Sequence, residues 1–131
     1  MNYWFLAAAG LSALTFVAHV FGGGPEIHIP VLQSQLSDYF KAVFSVIWHA
    51  ISAILILNSL VLVSAAMNWP GSHYGAMIVA GQYLSFAILF VFYGLNRLDT
   101  LATMPQWMVF TAIPVLIFIA LRSHKQPLAK A

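Results

Sequence analysis

His19-Val20-Phe21-Gly22-Gly23-Gly24-Pro25-Glu26-Ile27-His28-Ile29-Pro30 is the stretch where this chain departs from plain apolar span. An apolar run leads into it from Tyr3, and glycines, prolines, an acid and two histidines then crowd together. In hydrocarbon a backbone must satisfy its own polar groups, so the run before the stretch is a helix. Glycine is conformationally free and proline lacks a backbone donor. The first helix is therefore expected to end near Phe21, and Pro25 and Pro30 to bracket a non-helical piece carrying Glu26 and His28. From Val31 to Phe40 the sequence is amphipathic enough to lie along an interface, with Ser34 or Ser37 capping the helix that follows.

Composition supports reading the runs on either side as membrane spans. Of 131 residues, 62% are hydrophobic and 6% charged. A soluble domain carries about 25% charged residues, so this chain lacks the charge to cover a water-facing surface. Several runs approach the roughly 20 residues that cross a bilayer core. The expected fold is an all-α membrane protein, a four-transmembrane-helix bundle, with spans of about 3–21, 40–67, 75–95 and 106–121 in one integral domain covering 1–131. Pro114 should bend the last of them, and the tail beyond it should fray.

Charge and cysteine usage exclude several classes. Five basic and three acidic residues give a net charge of +2, too few and too scattered for a nucleic-acid surface. There is no cysteine, hence no disulfide, iron–sulfur or thiolate site. The first residues lack the positive n-region of a secretory signal, so the first run is expected to be a retained helix. Arg122, Lys125 and Lys130 follow the fourth span, against Lys41 and Arg97 at the other end of the spans. The positive-inside rule then puts both termini in the cytoplasm. In build the chain resembles small bacterial four-span membrane proteins, so a multi-pass place in the bacterial inner membrane is expected.

Polar residues fall on stripes. Ala8, Ser12, Thr15 and His19 recur at spacings of 4, 3 and 4, and Ser45, His49, Ser52, Ile56 and Ser59 at 4, 3, 4 and 3. Each set shares a helical face, of the small, hydroxyl-rich kind that close packing in lipid favours. Gln82, Phe86, Leu89, Tyr93 and Asn96 share a face of the third span. His19, Glu26, His28 and His49 then gather in the outer half, where Trp48 and Tyr93 lie as well. Imidazole suits zinc, copper and iron, and a carboxylate can complete or orient such a site.

The functional expectation is a binding protein. A transition metal, haem or small ligand would be held by His19, Glu26, His28 and His49, with Trp48 and Tyr93 as cofactor contacts, in an accessory subunit of a membrane redox or transport complex. No specific ligand motif occurs, and His49 starts about 7 Å deeper than His19 at ~1.5 Å rise per residue. Convergence needs helix tilt, an earlier start of the second span, or a sunken loop. The competing expectation is a structural or assembly subunit without a ligand, whose histidines only donate hydrogen bonds between helices. A membrane enzyme acting on lipid or quinone comes third. The partners expected are the lipid bilayer and a homo-oligomer or larger membrane complex.

Overall fold

The computed structural model describes residues 1–124, without the side chain of His124. Lys125 and Lys130, which weigh in the orientation argument, and the tail expected to fray lie outside the described residues. Among those described, the structure is all-helical, and four helices are long and apolar enough to cross a membrane.

The first of these runs unbroken from Tyr3 to Gln33, which corrects the expected end near Phe21. It comprises α1 (Tyr3–Val17), a π-helical segment (Ala18–His28) and α2 (Ile29–Gln33). Proline in an α-helix clashes with the carbonyl four residues back and removes a hydrogen bond. The wider i→i+5 pattern relieves the clash, and membrane helices commonly absorb proline through such adjustments. The Ile29 N–H donates to the Gly24 carbonyl, five residues back, at the end of the π segment. Glycine and proline thus widen this helix rather than stop it. The chain breaks only at 34–37, where Ser34 Oγ donates to the Val31 carbonyl at 2.6 Å. Ser37 takes the N-cap position of α3.

The other spans are α3 (Asp38–Ala66), α4 (Ser72–Leu98) and α5 (Gln106–His124), each longer at one or both ends than the sequence suggested. α5 continues through Pro114, which is fully buried. Gly71, at φ 77°, supplies the left-handed turn that starts α4. The helices pack as α1 against α3, α3 against α4, α4 against α5 and α5 back against α1.

The end at the N-terminus is drawn tight. Asn2 caps α1, its Oδ1 accepting from Trp4 N–H at 3.0 Å and Phe5 N–H at 3.4 Å. The Asn2 backbone N–H donates to the Ala66 carbonyl at 2.8 Å and its Nδ2 to the Ala120 carbonyl at 3.3 Å. One residue therefore ties α1 to the ends of α3 and α5. Small side chains continue the tight packing. Ala8, Ala65, Ala76, Ala80 and Ala120 are buried, and a Cβ on Gly75 would come within 2.9 Å of Val61 Cγ1. Lipid tails are as apolar as the helix faces, so close van der Waals contact and interhelical hydrogen bonds hold such a bundle.

At mid-length one polar knot crosses three helices. Ser12 Oγ lies 2.6 Å from Tyr83 Oη and 2.8 Å from Ser59 Oγ, and Ser59 Oγ also donates to the Leu55 carbonyl. The Tyr83 ring stacks on Phe110 and meets Phe86 edge-on. Beyond this knot, toward the π segment, the helices part.

Candidate functional site

The π segment positions the site. His19, Gly23 and His28 follow one another at spacings of 4 and 5, close to one turn of a helix wider than α. They share the face turned to α3, and Trp48 of α3 packs there. A Cβ on Gly23 would lie 3.0 Å from Trp48 Cη2, so the missing side chain is what admits the indole against the backbone. The imidazoles of His19 and His28 stack on Trp48, with ring centroids 4.0 and 5.2 Å away and planes tilted by 21° and 7°. Nine residues apart on one helix, they flank the indole. Aromatic pairs of this kind contribute about 0.5–1.5 kcal/mol beyond their buried area.

Hydrogen bonds fix the rings further. The Trp48 carbonyl can only accept, so His19 Nε2 donates to it, at 3.3 Å. Ser52 Oγ donates to the same carbonyl at 3.0 Å. A neutral imidazole that donates through Nε2 keeps Nδ1 as a bare acceptor. His28 Nε2 and Ser45 Oγ share a hydrogen bond of 3.0 Å.

Beside this cluster lies a cavity of about 660 Å³. One wall is the helix of His19, from Leu11 to Ile27, together with the Phe44–Leu55 face of α3. Phe86 and Phe90 of α4 and Gln106, Val109 and Phe110 of α5 form the other. Phe110 contacts Phe86 edge-on and Phe90 at a tilt, so the floor is aromatic. The side chains with polar atoms on the lining are Thr15, His19, Glu26, Trp48 and Gln106. Gln106 Oε1 is buried with no hydrogen-bond partner among the described residues. A volume of this size falls within the usual range for small-molecule sites, which are mostly apolar with a few placed polar groups.

Set against the sequence reading, His19, His28 and Trp48 come together, and His19, Trp48 and Glu26 line the cavity. His49 does not turn inward. It is exposed, touching the His28 ring edge-on at 5.4 Å. The inward line of α3 runs through Trp48, Ser52, Leu55, Ser59 and Leu62, so it keeps Ser52 and Ser59 of the expected stripe but leaves His49 and Ile56 outside. Tyr93 is also exposed and stands outside the cavity, edge-on to Phe92. Alanines and Tyr83 of α4 face the bundle instead, which leaves Leu89, Tyr93 and Asn96 pointing out.

The expected metal set does not assemble. Among the described residues no group of three or more His, Cys, Asp or Glu is placed to hold a metal ion. The indole occupies the space between His19 and His28, and their Nε2 atoms are engaged on Trp48 and Ser45. Phe44, Phe86, Phe90, Phe110 and Gln106 went unassigned in the sequence reading. Phe86 with Phe90 and Gln106 with Phe110, each four apart, were the available signal for a shared lining face. The chain matches no family model, no curated protein and no solved structure.

Proposed function

We propose that this chain is a binding protein of the membrane, taking a small apolar molecule with a polar head into the cavity beside Trp48. The observation that carries the reading is the cavity itself, about 660 Å³ with apolar walls and a few polar groups. It is a cleft between the four helices, about half enclosed, which a ligand can enter without unpacking the bundle. The π segment supports it, because such distortions are frequent at functional sites. His19 and Trp48 shape one wall, and Gly23 lets that wall form. The bilayer is the natural reservoir for such a ligand. With Arg122, Lys125 and Lys130 beyond the last span, the positive-inside rule supports a cytoplasmic tight end and a cavity toward the outer face of a bacterial inner membrane.

Dodecanol, titrated calorimetrically into the protein in phosphatidylcholine nanodiscs with empty discs subtracted, tests the reading. It is expected to bind with saturation. Ile51→Trp, on the cavity wall, should abolish the binding, and Ile56→Trp, on the lipid-facing side of the same helix, should leave it intact. Unsaturable uptake, or saturable binding indifferent to Ile51→Trp, contradicts the reading.

A further inference from the structure

Two of the cavity's polar side chains are left accepting, and the charged side chain on its lining is a carboxylate. His19 spends its Nε2 hydrogen on the Trp48 carbonyl, which leaves Nδ1 of the neutral ring as an acceptor. Gln106 also lines the cavity, but its amide oxygen is buried in the packing and turned away from the open space. Thr15 gives its hydroxyl hydrogen to the Leu11 carbonyl at 2.8 Å, so that oxygen too is left accepting. Glu26 is the one side chain of Asp, Glu, Lys or Arg type on the lining, and a carboxylate only accepts when ionised. Among the described residues no Lys or Arg lines the cavity. A ligand offering only acceptors would leave these groups unmatched, and an anion would meet a carboxylate.

The hydrophobic part of the lining points the same way. Phe44, Phe86, Phe90 and Phe110 line the cavity, a surface for an alkyl tail and not for an anion. A donor head carrying positive charge would meet the acceptors and the carboxylate, and the rings would take its apolar tail. We infer that the ligand is a lipophilic ammonium cation, its tail against the Phe86–Phe110 floor and its N–H groups directed to His19 and Glu26. This deepens the binding reading above and rests on it.

Three probes with the same tail separate the two ideas: dodecylammonium, dodecanol and dodecanoate, titrated into the protein in phosphatidylcholine nanodiscs. Dodecylammonium should bind about tenfold tighter than dodecanol, since hydrogen bonds between charged groups exceed neutral ones by that order, and dodecanoate should be weakest. Glu26→Gln should bring the ammonium down to the level of the alcohol while leaving dodecanol binding unchanged. Because Glu26 is exposed, that variant tests charge without disturbing the core. If all three probes bind alike and all are lost in Ile51→Trp, the cavity stands and the cation assignment falls. An ammonium preference that survives Glu26→Gln also overturns the assignment. Binding of any probe that ignores Ile51→Trp removes the cavity reading and this inference with it.

Discussion

The two halves of this bundle are built on opposite plans. From Asn2 to the Ser12–Tyr83–Ser59 knot the helices touch through alanine and glycine, and nearly all the fully buried side chains lie there. From the knot to Glu26 the same helices part around an aromatic-lined space, and the first of them widens into a π segment. In the tight half alanines and a glycine at the crossings let Phe5, Leu62, Ile113 and Ile117 bury fully. Small residues let backbones close in, whereas Trp48, Phe44, Phe86 and Phe90 hold them apart. The tight half supplies the rigidity and the open half the room, so a small molecule can enter without the bundle coming apart.

The largest effect should separate the halves. Ala8→Leu inserts bulk into a fully buried position, and overpacking a tight core costs about 1–3 kcal/mol. Ala18→Leu adds the same bulk to an exposed position on the cavity wall and should leave stability nearly unchanged. Reversible unfolding in mixed micelles compares the two. Equal losses would mean that the open half is as tightly packed as the other.

A smaller effect sharpens the role of the π segment. Gly23→Ala drives a Cβ to 3.0 Å from Trp48 Cη2, while a Cβ on Gly22 meets nothing within 4 Å. Gly23→Ala should displace the indole, lose about 1 kcal/mol of stacking with His19 and His28, and shift the tryptophan emission. Gly22→Ala should change neither. An unshifted spectrum in Gly23→Ala would show that the indole does not lie against that backbone.

Weaker still is the knot at the boundary. Tyr83→Phe removes the hydroxyl that meets Ser12 at 2.6 Å, and interhelical hydrogen bonds in membrane proteins average about 0.6 kcal/mol. The loss should be of that size in the same unfolding assay. At the bottom of the scale, Tyr93→Ala and His49→Ala should leave dodecanol binding unchanged, since Tyr93 lies outside the cavity and His49 only brushes His28. A loss of binding in either would redraw the site.

Much of this arrangement was legible in the sequence, for reasons tied to particular residues. Apolar run length and scarce charge specify four long helices, because hydrocarbon tolerates little else. The Ala8–Ser12–Thr15–His19 stripe does face its neighbours, as periodicity on a regular helix requires. The reading failed where regularity failed. Gly22-Gly23-Gly24-Pro25 looks like a helix stop by local propensity, yet in lipid the cost of freeing backbone groups favours a widened helix over a loop. On α3 the serines of the stripe do face the bundle, but packing turns Trp48 in beside them and leaves His49 out, because the large ring fits the space that Gly23 leaves. The cavity is a gap between faces of four helices, and the period of a single helix carries no record of it.

The absence of cysteine allows the contrast between the halves to be read one residue at a time. Thr15→Cys, on the cavity wall, and Ala8→Cys, in the tight half, can be exposed to methyl methanethiosulfonate in nanodiscs with and without saturating dodecanol. The open-half account predicts that the thiol at position 15 reacts and is protected by dodecanol, while the thiol at position 8 stays unreactive under both conditions. Equal reactivity at the two positions, or reaction at position 15 that dodecanol leaves untouched, would contradict it.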